Sequence, residues 1–89
     1  MANKTIIITG ATDGIGLEAA MKIAALGNQV GLVGRNPDKG IKAMERITSL
    51  TGNDKLNFFK ADLSLISEIN KLSEEIKNKY SQVDVSVSY

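Results

Sequence analysis

An open α/β fold with a parallel sheet is predicted by three features of this 89-residue sequence. Short β-branched or aromatic runs alternate with longer amphipathic stretches, and the intervals between the runs suit right-handed crossovers. Glycines also gather where the first run meets the first amphipathic stretch. The order reads β-α-β-α-β-α-β, and 3-2-1-4 is the strand order expected for this half of a doubly wound sheet with helices on both faces. A chain of this size buries roughly 60–65% of its unfolded surface, so residues 1–89 make at most one small domain.

Each element has a local cause. Thr5 to Thr9 is β-branched throughout, and its Ile6-Ile7-Ile8 run suits a strand buried on both faces. Ile15 to Leu26 is rich in strong helix formers, with Ile15, Ala19, Ile23 and Leu26 predicted as the packed stripe, small alanines that let the helix lie close to the sheet, and Gly27-Asn28 as the stop. Gln29 to Val33 reads as the second strand and Gly34-Arg35-Asn36 as its exit turn. Asn36 is suited to cap a helix with Pro37 in its first turn, running to about Thr51 and ended by Gly52. In that helix Ile41, Met44, Ile47 and Leu50 are spaced for burial. Leu56 to Lys60 is the third strand, and Ala61-Asp62-Leu63 its exit. Ser64 is predicted to cap a third helix with Ile69, Leu72 and Ile76 inward, and Tyr80 belongs to its last turn. Val83, Val85 and Val87 mark a fourth strand, whose alternating serines suit an edge with one wet face.

Composition narrows the chemistry. The net charge of +1 is spread evenly, with six basic and four acidic residues up to Gly52 and five basic and six acidic after it, so nucleic acid and anionic membrane are poor partners. Neither cysteine nor histidine occurs, which removes disulfides, thiolate metal sites and the commonest general base. The apolar run after Lys4 is too short for a signal peptide or a membrane span, and a cytoplasmic location is expected.

The glycine stretch Thr9-Gly10-Ala11-Thr12-Asp13-Gly14-Ile15-Gly16 carries the functional signal. A diphosphate is well met by unpaired N–H groups at a helix start, and residues without a Cβ let the main chain approach it closely. Gly10, Gly14 and Gly16 fall at the strand end, in the turn and at the helix start. The spacing is neither Gly-x-Gly-x-x-Gly nor a P-loop, and an ordinary glycine turn is the plain alternative. After the second strand, Arg35 stands where an acid about 20 residues beyond the glycines would bond a ribose 2′-hydroxyl, and arginine there suits a 2′-phosphate. NADP is therefore the expected cofactor, with Lys39 a weaker second contact.

The stretch Thr9 to Gly16 resembles the Thr-Gly-x-x-x-Gly-Ile-Gly motif of the short-chain dehydrogenase/reductase family, whose fold is of the Rossmann type. Gly34-Arg35-Asn36-Pro37-Asp38-Lys39-Gly40 resembles the corresponding segment of retinol-dehydrogenase-like members. Ala61-Asp62-Leu63-Ser64 is similar to the Asp-Leu/Val beside the adenine, and Val83-Asp84-Val85 to the start of the fourth strand. The resemblance implies that Gly10, Thr12, Asp13, Gly14, Ile15 and Gly16 surround the pyrophosphate and that Asp62 and Leu63 frame the adenine, with the Asp62 carboxylate accepting from its amino group; Asn36, next to Arg35, is counted with it among the cofactor-binding residues.

The family's Tyr-x-x-x-Lys pair has no counterpart here, and no catalytic or metal-binding residue is assigned. Tyr80 is followed by Ser81, Gln82, Val83 and Asp84, and Ser86-Val87-Ser88-Tyr89 departs from the family's Asn-Asn-Ala-Gly. The expectation is an N-terminal fragment of an NADP-dependent alcohol or carbonyl oxidoreductase, truncated after the start of its fourth strand, inactive alone and prone to self-association through an exposed edge strand. The alternative is a noncatalytic nucleotide-binding half-fold or an inert remnant.

Overall fold

The computed structural model describes residues 3–12 and 14–88. Its elements are β1 (Thr5–Thr9), α1 (Gly14–Ala25), β2 (Gln29–Gly34), α2 (Pro37–Thr51), β3 (Leu56–Lys60), α3 (Ile66–Lys79) and β4 (Val85–Ser88). The four strands form one parallel sheet in the order β3-β2-β1-β4, as the sequence predicts. Registers such as Ile8 opposite both Leu32 and Val87 leave β1 and β2 in the middle.

The sheet divides two cores. On one face Ile6, Ile8, Val30 and Leu32 pack with Ala20 and Ala24 of α1 and Ile47 of α2. On the other, Ile7, Val33 and Phe59 pack with Leu72 of α3 and with Tyr80. The alternation of Ile6, Ile7 and Ile8 between these faces is the strand period of two, and it explains why the whole run is apolar. Each fully buried aliphatic side chain is worth about 1.5–3 kcal/mol.

The packed faces of the helices are shifted from the predicted stripes. In α1, Ile15 is 75% exposed and Leu26 54% exposed, while Gly16, Ala20 and Ala24 are buried. This i, i+4, i+8 row of small residues brings the α1 backbone close to the sheet, and Leu17, Met21 and Ile23 pack along its flanks. In α2, Ile41 and Leu50 are exposed, and Gly40, Ala43 and Ile47 are buried. The ring of Phe58 occupies the space a Cβ on Gly40 would need, with Phe58 Cγ at 2.6 Å from it.

α2 starts and ends as its sequence predicts. Asn36 Oδ1 accepts from the Asp38 and Lys39 amides at 2.9 and 3.3 Å, and Gly52 closes the helix through its N–H to the Thr48 carbonyl. By contrast, Ser64 does not cap α3. The N-cap is Leu65, which makes no side-chain cap bond, and Ile69 is exposed where burial is predicted. Tyr80 lies just beyond α3 rather than in its last turn, and only 6% of it is exposed. Its hydroxyl accepts from Asn57 Nδ2 at 2.8 Å, and its ring meets Phe59 edge-on with centroids 6.1 Å apart. β4 opens at Val85, so Val83 precedes it.

Side chains also tie together the amino end of the sheet. Fully buried Asn28 accepts from the Lys4 amide at 3.1 Å and donates to the Ile23 carbonyl at 3.0 Å. Asn53 Nδ2 donates to the carbonyls of Ala24 and Asn28 at 2.9 and 2.7 Å, linking the end of α1 to the entry of β3. Asp84 accepts from the Thr5 amide through Oδ2 and returns its own N–H to the Thr5 carbonyl, both at 2.8 Å.

Candidate functional site

The carboxyl ends of β1, β2 and β3 finish level with one another because main-chain pairing runs on beyond β1 and β3. The Gly10 amide donates to the Val33 carbonyl at 3.2 Å, and the Ala61 amide donates to the Gly34 carbonyl at 3.0 Å. Above these ends lies an open cleft of about 470 Å³, lined by residues that include Gly10, Thr12, Arg35, Asn36, Asp62 and Leu63. In open parallel α/β sheets, this crevice outside the carboxyl ends is where ligands bind.

The glycine loop forms one wall. A Cβ on Gly16 would run into the Gly10 carbonyl oxygen and lie 2.7 Å from the Gly10 carbonyl carbon, so α1 enters directly against the end of β1. Gly14 has a φ of +59°, and a Cβ there would meet nothing within 4 Å. Gly16 is thus required by contact, whereas Gly14, the first residue of α1, is required by backbone conformation. Ile15 is exposed, Gly14, Ile15 and Gly16 stand outside the lining of the cleft, and Asp13 lies outside the described residues.

The second wall is the exit of β2. A Cβ on Gly34 would stand 3.1 Å from Thr12 Cγ2, so the Thr12 side chain leans over this turn from the glycine loop. Arg35 follows and is exposed, a cation presented to the cleft. Asn36 also lines the cleft, but its amide oxygen is engaged in capping α2. Lys39, in the first turn of α2, completes this basic side.

The third wall is the exit of β3. Asp62 Oδ1 accepts from the Ser64 hydroxyl at 2.6 Å and from the Ser64 amide at 3.0 Å. These two bonds, with a further contribution from the nearby Arg35 charge, hold the Asp62 carboxyl below its ordinary pKa against the opposing effect of partial desolvation. The group therefore stays ionised at neutral pH, and both bonds fall on one oxygen. The Asp62 amide donates to Glu68 Oε1 at 3.2 Å.

The structure thus brings together six of the ten residues singled out from sequence, on three separate loops. Val33, Gly34, Ala61 and Ser64 complete the lining and carried no separate functional signal. Val33, Gly34 and Ala61 follow from position alone, as residues at or just past strand ends. Ser64 reads as a helix cap, and only the fold shows its hydroxyl turned to Asp62. No helix is long and apolar enough to cross a membrane, and no group of three or more potential metal ligands occurs among the described residues.

Comparison with known proteins gives this geometry a lineage. The sequence profile of the short chain dehydrogenase family matches residues 4–88. The chain is 38% identical over 88 residues to a dehydrogenase/reductase SDR family protein 7-like from Dictyostelium discoideum, a match covering 96% of this chain and 28% of that protein. It is 36% identical over 85 residues to a 3beta-hydroxysteroid dehydrogenase from Mediterraneibacter gnavus, covering 96% of this chain and 30% of the relative. A short chain dehydrogenase from Shigella flexneri, solved as a complex with NADP, superposes with a TM-score of 0.89 at 33% identity, over 100% of this chain and 38% of the other. The chain spans less than a third of the length of the two sequence relatives described.

Proposed function

The chain belongs to the short chain dehydrogenase family, and from that premise we propose that residues 1–89 are the NADP-binding, N-terminal Rossmann part of an oxidoreductase that acts on an alcohol or carbonyl substrate. The observation that carries this reading is the single cleft shared by the glycine loop, Arg35 and Asp62 at the carboxyl ends of β1, β2 and β3. Gly10, Thr12, Asp13, Gly14, Ile15 and Gly16 surround the pyrophosphate, whose charge is met by N–H groups at the start of α1. Arg35, with Asn36 and Lys39 beside it, takes the 2′-phosphate and ribose. Asp62 and Leu63 frame the adenine, and Asp62 accepts from its amino group.

Bound NADP supplies the hydride acceptor, and NADPH the donor, for interconversion of alcohol and carbonyl. The 89 residues orient the adenosine half of that cofactor. The NADP complex of the Shigella flexneri relative supports the cofactor, and the hydroxysteroid dehydrogenase relative supports the substrate class. The Gly34–Gly40 segment supports a place near the retinol-dehydrogenase-like members.

Calorimetric titration tests the cofactor. The chain should bind 2′,5′-ADP about ten times or more tighter than 5′-AMP, the usual scale of a charge-assisted phosphate contact. Arg35→Ala should erase that preference and leave 5′-AMP binding nearly unchanged. Equal affinities in the unsubstituted chain would remove the case for NADP. We also propose that the 89-residue chain self-associates through β4, which pairs with β1 on one side only, opens on exposed Val85 and is preceded by exposed Val83. A sedimentation coefficient that stays monomeric up to high concentration would exclude this.

A further inference from the structure

Asp62 is held at each of its polar groups. Its carboxylate accepts twice from Ser64, its carbonyl accepts from the Leu65 amide at 3.2 Å, and its amide donates to Glu68 Oε1. The last of these bonds is unusual. Glu68 occupies the third position of α3, from which an acidic side chain commonly turns back to the N–H of the N-cap residue. Here the N-cap is Leu65, whose N–H is already given to Asp62, and the Glu68 carboxylate passes over it to reach the cleft-lining residue three positions earlier.

The Asp62 amide needs such a partner. Sheet pairing ends with the Ala61 amide on Gly34, so the next N–H has no strand to bond to. A carboxylate makes a strong acceptor for it, and an acid in the first turn of a helix is favoured by the helix dipole. The result is a direct hydrogen bond from the first turn of α3 to the main chain of Asp62. Glu68 itself is absent from the cleft lining.

We propose that Glu68 is a positioning residue for the adenine side of the cleft: its Oε1 fixes the Asp62 main chain, so that the Asp62 carboxylate is presented at one place and can distinguish a base amino group from a carbonyl. This rests on the reading of Asp62 as the acceptor of the adenine amino group. It makes base discrimination a property of a residue that touches no ligand.

The test compares 5′-AMP with 5′-IMP, which replaces the base amino group by a carbonyl, for the unsubstituted chain, Glu68→Ala and Glu68→Gln. The unsubstituted chain should prefer 5′-AMP by about tenfold, the scale of one hydrogen bond to a charged acceptor. Glu68→Ala should reduce that ratio below about threefold, with faster hydrogen exchange at the Asp62 amide. Glu68→Gln retains an oxygen acceptor and should keep both the ratio and the protection. A merely destabilising change would weaken the two nucleotides alike and leave their ratio intact. An unchanged ratio in Glu68→Ala, or a Glu68→Gln variant that behaves like Glu68→Ala, overturns the positioning role alone. Failure of the unsubstituted chain to bind either nucleotide, or to prefer 5′-AMP, instead overturns the assignment of Asp62 to the adenine, and the positioning role with it.

Discussion

Gly16→Ala is expected to lower the melting temperature by about 10–20 °C and to abolish measurable nucleotide binding. Alanine is the best helix former, and at an unconstrained helical position this exchange would gain about 1 kcal/mol. At Gly16 the added methyl has no room: it would overlap the Gly10 carbonyl oxygen, lie 2.7 Å from the carbonyl carbon and 3.2 Å from Ala11 Cα. All three contacts are main-chain atoms, so no side chain can turn aside. Either α1 lifts from the sheet, which uncovers Ala20 and Ala24, or the Gly10 turn moves and the wall of the cleft moves with it. Overpacking costs about 1–3 kcal/mol where neighbours can yield, and a backbone contact belongs at or above the upper end. A domain of this size has on the order of 4–13 kcal/mol in total, and each kcal/mol shifts its melting by about 4–8 °C. A Gly16→Ala chain that melts within about 2 °C of the original and still binds 2′,5′-ADP would show that the close approach of α1 to β1 is not as described.

Ile8→Ala should cost about 2–5 kcal/mol, the range for removing most of a buried aliphatic side chain and leaving a cavity behind. Ile8 is wholly buried in the core shared with α1 and α2, and its strand pairs on one side with Leu32 and on the other with Val87. The loss therefore falls on a strand paired on both sides. Urea unfolding should show a lower midpoint with the same slope, the mark of lost stability without a change in surface exposed. The informative control is Ile15→Ala. The predicted stripe on α1 makes Ile15 a core residue, but its 75% exposure implies a change within about 0.5 kcal/mol. Equal losses for the two variants would restore the predicted stripe.

That control points to what could be read from the sequence. Element order, strand order and the glycine turn were all legible, because β-branched runs, helix formers and the Asn36-Pro37 and Gly52 signals agree with one another over the whole chain. The faces of α1 and α2 were legible in part: the small alanines of α1 and the places of Ile23, Met44 and Ile47 agree with the sequence, whereas Ile15, Leu26, Ile41 and Leu50 are exposed. A hydrophobic pattern directs attention to the largest apolar residues, whereas these helices approach the sheet through Gly16, Ala20, Gly40 and Ala43, whose merit is small size. What fills the space is supplied from elsewhere, such as the Phe58 ring against Gly40.

Similar limits apply around the cleft. Arg35 and Asp62 stand out as charged residues just after strands, but their sharing of one cleft depends on level strand ends that only the register establishes. Ser64 matches a helix cap by type and was displaced from that role because its hydroxyl and amide both serve Asp62. Tyr80 is concealed for a different reason: its partners Asn57 and Phe59 lie more than twenty positions away. Glu68 gave no signal at all, since its bond skips past the residue a capping glutamate ordinarily serves.

The asparagine ties at the amino end of the sheet bear on how such a chain can change over evolutionary time. Asn28 and Asn53 stitch α1, β2 and β3 to one another at the end of the sheet opposite the cleft. With that end clamped by side chains outside the cleft lining, the loops at the other end can exchange residues without loosening the frame beneath them. Mutations that alter what the protein recognises and mutations that alter whether it survives are thereby drawn from two largely separate sets of positions.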